Sequence, residues 1–167
     1  MSKSNLNPIV LLASGFGLGW SPFASGTVGS LPGVLIVLAL SPLSLQWQIG
    51  IAIALVLLAI PICEIGENHF DRKDDGRIVA DEYLTFPLCT LGLPWMAHPS
   101  LLLVAFLTNR VMDIIKPPPA RQAQNLHGGF GIVIDDVISS LYALLLNHAI
   151  WWTMQRTINS AMENQFG

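Results

Sequence analysis

The chain has 167 residues and a formal net charge of −3 at pH 7; 52% of its residues are hydrophobic, 11% are charged, and the mean hydropathy is +0.56. This length suits one domain with a substantial core, and the hydropathy is high for a soluble domain and indicates a membrane protein. The chain has no basic tail and no patch of interleaved basic and aromatic residues, so nucleic acid is excluded as an expected partner. Cys63 and Cys89 lie in apolar segments without zinc-type spacing, and we interpret them as small core residues.

The first chemically informative segment is the loop at residues 21–30, S-P-F-A-S-G-T-V-G-S. It follows an apolar stretch that is too short to span a bilayer and precedes an apolar helix that Ser30 can cap, with Pro32 in the first turn. A loop rich in glycine and hydroxyl groups that leads into a helix is a possible anion site. Thr27 and Ser30 are its candidate phosphate-binding hydroxyls. The alternative interpretation is an ordinary capping loop.

Five apolar segments follow and are candidate membrane spans, at residues 31–45, 49–63, 83–96, 101–115 and 137–152. Several are shorter than the roughly 20 residues that a bilayer requires, so a four-span arrangement with one interfacial segment stays open. If each segment crosses, alternate loops share a side, and the side that holds Arg72, Arg77, Arg110 and Lys116 is cytoplasmic by the positive-inside rule. We therefore expect an all-α integral membrane protein, a single domain over residues 1–167, with about four to five apolar helices whose polar loops converge on one face.

The stretch from residue 109 to residue 136 concentrates ionisable groups between two apolar segments. Asn109, Arg110, Asp113 and Lys116 are spaced so that they share one stripe of a helix, which the proline run after Lys116 ends. The stripe places a carboxylate between two cations. The alternative is a solvated face with i, i+3 salt bridges, each contributing about a few tenths of a kcal/mol.

The end of this stretch is H-G-G-F-G-I-V-I-D-D at residues 127–136. A glycine loop can bring backbone N–H groups close to phosphate, here at Gly128 and Gly129, with His127 and the pair Asp135 and Asp136 beside it. Each element also has an ordinary explanation, because loops need glycine and aspartates suit the start of a helix. The combination is more specific than its parts.

Together these groups predict phosphoryl chemistry on a lipid headgroup. Carboxylates lie near the ends of apolar segments at Asp81, Glu82, Asp113, Asp135 and Asp136. They suit Mg²⁺, which binds carboxylates, water and phosphate oxygens, neutralises phosphate charge and can activate water. Arg110 and Lys116 would hold phosphate oxygens, and His127 would protonate the leaving oxygen.

Four pieces of sequence, in order, resemble the phosphatidylglycerophosphatase A family: residues 15–30, 78–82 (I-V-A-D-E), 110–119 (R-V-M-D-I-I-K-P-P-P) and 127–136. The resemblance implies a helical, Mg²⁺-dependent phosphoric monoester hydrolase of the bacterial cytoplasmic (inner) membrane. It would be multi-pass, with its site facing the cytoplasm, and would convert phosphatidylglycerophosphate to phosphatidylglycerol and inorganic phosphate in phospholipid biosynthesis. The residues assigned from the loop chemistry and this resemblance together are Asp113, His127 and Asp135 as catalytic; Thr27, Ser30, Arg110, Lys116, Gly128 and Gly129 as phosphate-binding; and Asp81, Glu82, Asp135 and Asp136 as metal ligands.

Two mechanisms stay open at this point: direct attack by a water molecule that the ion activates, and an aspartyl-phosphate intermediate on Asp113 or Asp135. Rival functions are a cation or proton transporter, which should carry acids deep within its spans, and a structural membrane subunit, which would need no convergence of ionisable groups. A lipid phosphotransferase is a nearer alternative but would need a second substrate pocket. The sequence is compatible with a homo-oligomer and does not give the oligomeric state.

Overall fold

A computed structural model describes residues 8–166, and all regular structure within them is helical. The α-helices of this described part are α1 (Pro8–Ala13), α2 (Ser25–Gly29), α3 (Leu31–Leu40), α4 (Leu45–Phe70), α5 (Ala80–Thr85), α6 (Ser100–Ile115), α7 (Ala120–Ala123) and α8 (Gly128–Phe166). Short 3₁₀ helices occupy Leu18–Trp20 and Phe86–Thr90. The expected all-α class is therefore confirmed for the described residues.

Two long helices dominate the architecture. Helix α4 has 26 residues and α8 has 39. They pack against each other, and α8 also packs along α6, which makes α8 the central element. At about 1.5 Å per residue, α8 is roughly 58 Å long, about twice the thickness of a bilayer's hydrocarbon core.

The described residues contain two helices that are long and apolar enough to cross a membrane, Leu45–Phe70 and Gly128–Glu163. Helices α3 and α6 have 10 and 16 residues, below the roughly 20 that a crossing requires. The structure therefore supports a membrane protein with two candidate spans by length and composition. The expected four to five spans are not confirmed.

The expectation of a helical span at residues 83–96 is wrong. Helix α5 ends at Thr85, a 3₁₀ helix follows over Phe86–Thr90, and turns lead on to α6. Pro87 and Pro94 lack the N–H group that a continuous helix needs. The side chains of Phe86, Pro87 and Cys89 are fully buried. The high hydropathy of this segment therefore reflects the core of the bundle rather than contact with lipid.

The apolar core lies in two clusters, each of which includes residues of α8. One forms where α1, α4, α5 and α8 meet and includes Cys63, Val79 and Val133. The other forms around Phe86 and Leu101, between α3, the 3₁₀ segment, α6 and α8. Both cysteines are buried and free, as expected for core residues.

Two helices extend further than the sequence pattern suggested. Helix α4 continues through Glu64 and Glu67, which had been expected in a polar loop, and ends at Phe70 before Asp71 in the left-handed conformation (φ 49°). Helix α8 continues to Phe166, although the residues after Trp152 are polar and weakly patterned. Continuation of an existing helix needs no new nucleation, so a modest local preference is sufficient.

The close approach of α4 and α8 leaves no room for a side chain at Gly129. A Cβ atom at this position would collide with the Ile60 carbonyl oxygen and the Glu64 backbone nitrogen. We expect Gly129→Ala to lower the free energy of unfolding by about 1–3 kcal/mol because the backbones must separate. Thermal unfolding in detergent measures this, with Gly50→Ala in α4 as the matched control, because a Cβ there meets nothing within 4 Å. Equal melting temperatures for the two variants would contradict the packing argument.

Candidate active site

The ionisable stripe at the end of α6 is buried rather than solvated. Arg110 and Asp113 are each only 8% exposed. The Arg110 Nη2 atom lies 3.0 Å from Asp113 Oδ2, and Lys116 Nζ lies 3.7 Å from Asp113 Oδ1. The helical spacing of the stripe is as predicted, and burial rules out the interpretation as a solvated face. A buried carboxylate between two cations is costly to assemble and is typically retained for a specific arrangement of charge.

Arg110 joins three parts of the chain. Its Nη1 atom donates a hydrogen bond to Ser30 Oγ at 3.0 Å and lies 3.3 Å from Glu82 Oε2. The Ser30 hydroxyl, 0% exposed, lies 3.1 Å from Glu82 Oε2 and 2.8 Å from the Gly26 carbonyl oxygen. Arginine suits this role because its planar fork presents several donors in fixed directions. The guanidinium group therefore connects the α2–α3 junction, α5 and the end of α6.

Gly26 allows this arrangement for a steric reason. A Cβ atom at this position would collide with Glu82 Oε1 and crowd Arg110 Nη2. The glycine-rich loop had been interpreted as an anion site or a capping loop. The structure adds that the backbone of α2 is held directly against the ion pair of α5 and α6.

Lys116 connects the end of α6 to the start of α8. Its Nζ atom lies 2.5 Å from Asp135 Oδ2, as both a hydrogen bond and an ion pair. The residue caps α6 in the left-handed conformation (φ 48°), which turns the chain away just before the prolines. Burial acts to lower the pKa of Lys116, but its hydrogen bond to Asp135 and the surrounding carboxylates raise it above its usual range. Lys116 is therefore a fixed cation in the site.

The carboxylates outnumber the cations around this point. Asp81, Asp113, Asp135 and Asp136 are buried, and Glu82 is bonded to Arg110 and Ser30. Five carboxylates thus face two cations, Arg110 and Lys116, which leaves negative charge to be balanced.

The pKa values of the two α5 acids are raised, mainly by burial. Burial, followed by the charge of Glu82, raises the pKa of Asp81 well above its usual range. Burial raises the pKa of Glu82 to about 7, although Arg110 acts in the opposite direction. Both shifts disfavour the ionised form of these acids, and a nearby cation would act in the opposite direction.

The donor set fits Mg²⁺. The Oδ1 atoms of Asp81 and Asp135 are buried and have no hydrogen-bond partner, so both oxygens could bind a cation. No three His, Cys, Asp or Glu side chains in the described part of the chain are already arranged as a metal-binding group. Mg²⁺ does not require such a cage, because it typically binds one or two carboxylates together with water and substrate phosphate oxygens. The predicted ligands Asp81, Glu82, Asp135 and Asp136 remain a prediction that this chemistry supports.

Three of the predicted phosphate-binding residues, and His127 as the predicted proton donor, take no part in these hydrogen bonds and ion pairs of the site. Thr27 is half-buried in α2, one helical turn before Ser30, and His127 is exposed just before α8. Within residues 8–163, no hydrogen bond or ion pair involves either side chain. Gly128 has φ 72°, and the N–H of Gly129 donates to Glu64 Oε2. The roles of His127, Gly128 and Gly129 stay predictions, and in the structure the N–H of Gly129 is bonded to Glu64.

Sequence reasoning gave too little weight to several polar residues that position the site. Glu64 holds the start of α8, and the available signal was an acid within an apolar helix. Ser140 Oγ donates to Asn109 Oδ1 at 3.0 Å, and Asn147 bonds both Thr108 and the Cys89 carbonyl oxygen. These buried bonds fix the register of α6 on α8 and so the position of Arg110.

Ser30 can be tested separately from the charges. Ser30→Ala removes a hydroxyl that accepts from Arg110 and lies against Glu82, so we expect a loss of about 1–3 kcal/mol in unfolding free energy. We also expect a fall in kcat with a smaller change in KM, because Arg110 loses its orientation. Ser25→Ala is the matched control, since it also deletes a hydroxyl from α2 and Ser25 has no assigned role. An equal or larger effect in the Ser25 variant would contradict the role of Ser30.

Comparison with known proteins agrees with this picture. Residues 11–151 match the family model described as phosphatidylglycerophosphatase A. A phosphatidylglycerophosphatase A of Haemophilus influenzae is 37% identical over 153 residues, covering 90% of this chain and 93% of that protein. One of Escherichia coli is 32% identical, covering 84% of each chain. A putative phosphatidylinositol-3-phosphatase of Bacteroides thetaiotaomicron is 33% identical, covering 87% of this chain and 94% of that protein. No solved structure matches.

Proposed function

We propose, since the chain belongs to the phosphatidylglycerophosphatase A family, that it hydrolyses phosphatidylglycerophosphate to phosphatidylglycerol and inorganic phosphate, with Mg²⁺ as cofactor. The family membership confirms the resemblance found in the sequence and the assignment as a phosphoric monoester hydrolase. The identity of the lipid headgroup and the metal are the proposed parts. Because one relative is named as a putative phosphatidylinositol-3-phosphatase, the headgroup preference should be measured directly.

One observation carries the proposal: Arg110 and Lys116 are fixed among buried carboxylates at one end of the two candidate membrane spans. Cationic side chains bind the oxygens of a phosphate monoester, and carboxylates bind a metal ion. A transporter should instead have acids distributed along its spans, and here the buried acids lie near the first turns of α8 and outside it. The arrangement supports phosphoryl transfer at a membrane surface.

The proposed roles follow from position. The Arg110 fork and Lys116 bind the non-bridging oxygens of the phosphate, with Thr27, Ser30, Gly128 and Gly129 around it. Asp81, Glu82, Asp135 and Asp136 would hold Mg²⁺, which when bound would neutralise phosphate charge and lower the pKa of water. His127 would donate a proton to the glycerol oxygen as its bond to phosphorus breaks. His127 is exposed just before α8, a position from which it can meet the headgroup of a lipid substrate.

The nucleophile is either water or a carboxylate. In the first case an aspartate accepts the proton of water as the oxygen attacks phosphorus; in the second, Asp113 or Asp135 attacks and water later hydrolyses the acyl phosphate. Asp113 is engaged by both Arg110 and Lys116, whereas Asp135 keeps one oxygen unpaired. Of the two, Asp135 is the freer nucleophile. If labelled phosphate becomes attached to the protein and hydroxylamine releases it, direct attack by water is contradicted.

We further propose that the protein crosses the bacterial inner membrane more than once and that its site faces the cytoplasm. Arg72, Lys73 and Arg77 lie in the α4–α5 loop, and Arg110 and Lys116 lie in the site next to it. The positive-inside rule assigns loops of this kind to the cytoplasm. A cysteine introduced at Lys73 should then react with an impermeant maleimide only after the cells are opened.

The deciding experiment is phosphate release by the purified protein in detergent, with Mg²⁺ and with excess chelator. Phosphatidylglycerophosphate, phosphatidylinositol 3-phosphate and phosphatidic acid should be compared at equal surface concentration. The proposal predicts Mg²⁺-dependent release with the highest kcat/KM for phosphatidylglycerophosphate. Preference for another lipid would show that phosphatidylglycerophosphate is not the substrate. Activity in excess chelator would show that the reaction needs no Mg²⁺. No release from folded protein would favour a transporter or a structural subunit.

A further inference from the structure

An open, polar cleft lies beside the ionic cluster, between residues 19–25 and residues 72–77 of the α4–α5 loop. Its volume is about 390 Å³, which is within the range of sites for small ligands. Its lining includes Trp20, Ser21, Arg72, Asp75 and Arg77. None of these residues takes part in the chemistry proposed above.

Arg77 is held in a fixed position in the cleft. Its Nε and Nη2 atoms donate hydrogen bonds to Asp75 Oδ1 and Oδ2 at 2.7 Å and 2.9 Å. Its guanidinium carbon lies 4.0 Å from the centroid of the Phe70 ring and 5.4 Å from that of the Trp20 ring. A Cβ atom at Gly19 would collide with the Arg77 carbonyl oxygen, so the two walls touch through their backbones. Within residues 8–163, Arg77 Nη1 has no hydrogen-bond partner and can donate to a ligand.

The charges in the lining suit an anion with a single charge. Asp75 is buried, and its hydrogen bonds with Arg77 hold the pKa of its carboxyl group below the usual range. Arg72 is exposed and forms no ion pair within residues 8–163, so two cations and one carboxylate leave one net positive charge. A phosphodiester carries one negative charge, whereas a phosphate monoester carries about 1.5 to 2 at pH 7. The cleft therefore matches a diester better than a monoester.

Only a thin wall separates the cleft from the ionic cluster. The two residues that follow Arg72 line a small cavity together with Asp135. Gly26 follows the opposite wall, and a Cβ atom there would lie 2.7 Å from Arg110 Nη2. Adjacent residues of the same two segments thus face the cleft and the site, so one headgroup with two phosphates can occupy both.

Exposed aromatic residues indicate where the cleft lies relative to lipid. The wall formed by residues 19–25 carries the exposed side chains of Trp20 and Phe23. Aromatic residues of this kind are typical of the headgroup level of a membrane. In a glycerophospholipid the phosphodiester is attached to the diacylglycerol and lies at this level, whereas a terminal monoester lies further from the acyl chains. Position therefore favours the diester as well.

We infer that this cleft binds the phosphodiester of a glycerophospholipid whose terminal phosphate monoester lies at Arg110 and Lys116. Arg72 and Arg77 Nη1 would bind the non-bridging oxygens of the diester. The protein would thereby select lipids that carry both groups over phosphatidic acid, which has the monoester alone. The inference rests on the proposed function, because it names the second feature by which the substrate is recognised.

Arg72 offers a variant that should leave the fold intact, because its side chain is exposed and forms no ion pair within residues 8–163. Arg72→Glu reverses its charge, and Arg121→Glu is the matched control, at an exposed arginine of α7 that does not line the cleft. The binding probe is radiolabelled phosphatidylglycerol, which has the diester and lacks the monoester, with purified protein in neutral detergent. We expect Arg72→Glu to weaken its binding roughly 10-fold, and Arg121→Glu to change it less than about twofold.

Kinetic measurements then identify whose phosphodiester occupies the cleft. If it belongs to the substrate, Arg72→Glu should raise KM for phosphatidylglycerophosphate roughly 10-fold and change kcat less than about twofold. The KM of phosphatidic acid, or its inhibition constant if it is not hydrolysed, should stay the same. An equal effect on both lipids would instead indicate a separate anionic lipid or a general effect of charge, and would overturn the inference.

Two results of the binding experiment would also overturn the inference. One is phosphatidylglycerol binding that is unchanged in Arg72→Glu or equally weakened in Arg121→Glu. The other is displacement of the lipid by excess inorganic phosphate, which would show a general site for phosphate. Failure of the proposed function is recognised separately, because the binding experiment needs no turnover. Binding that depends on Arg72, without phosphate release from any of the three lipids, would contradict the phosphatase and leave the cleft as a lipid site.

Discussion

Replacing Asp135 by asparagine should lower kcat/KM for phosphatidylglycerophosphate by roughly 10⁴- to 10⁶-fold, the range seen when a member of a catalytic constellation is removed. Asp135 is the one acid assigned both a catalytic and a metal-binding role. It is 2% exposed, is bonded to Lys116 through one oxygen and keeps the other unpaired. An asparagine side chain has the same shape but can neither attack phosphorus nor accept a proton from water.

Stability should respond differently from activity in this variant. The asparagine carbonyl can still accept the hydrogen bond from Lys116, and one of five clustered negative charges is removed. We therefore expect the melting temperature in detergent to stay close to that of the wild type. Glu163→Gln is the matched control, because Glu163 is an exposed acid on the same helix, far along α8. Activity within tenfold of wild type in Asp135→Asn would reduce Asp135 to a structural partner of Lys116.

The local features of the site were predictable, because they depend on spacing along one helix. Arg110, Asp113 and Lys116 share a stripe by helical periodicity, and the prolines after them must end α6. Convergence of the polar loops was predicted from an alternation of five spans, although residues 83–96 do not form one of them. The observed pairs Arg110–Glu82 and Lys116–Asp135 agree with that convergence.

The choice of partners was not predictable, because it depends on contacts between distant residues. Both Thr27 and Ser30 carry hydroxyls in the same loop, and only the packing of α2 against α5 shows that Ser30 meets Arg110. Residues 83–96 are as apolar as a membrane span, but hydropathy cannot separate burial in a protein core from contact with lipid. Glu64 gave a weak signal of its own because its partner, Gly129, is 65 residues away.

Arg110→Gln should be the most damaging of these changes for stability, and it should also lower activity. The guanidinium group, 8% exposed, is bonded to Ser30 and lies between Glu82 and Asp113, so its removal leaves two carboxylates without their shared cation. Breaking a buried ion pair by removing one partner costs about 3–5 kcal/mol. We expect a lower melting temperature and a loss of kcat/KM of at least about 100-fold, the lower end of the effect of a lost charge-stabilising donor.

A double-mutant cycle separates the structural role of Arg110 from its chemical role. Glu82→Gln in the Arg110→Gln background removes the carboxylate that the first change left unpaired, so we expect it to recover part of the lost stability. Activity should not recover, because no group then binds the phosphate oxygens in a bidentate manner. Arg110→Lys tests the geometry further: it keeps the charge without the fork, and we expect its stability to lie nearer the wild type than its kcat/KM does. If phosphate release returned together with stability in the double variant, Arg110 would be a scaffold for α5 and α6, and the binding of the phosphate group would fall to Lys116.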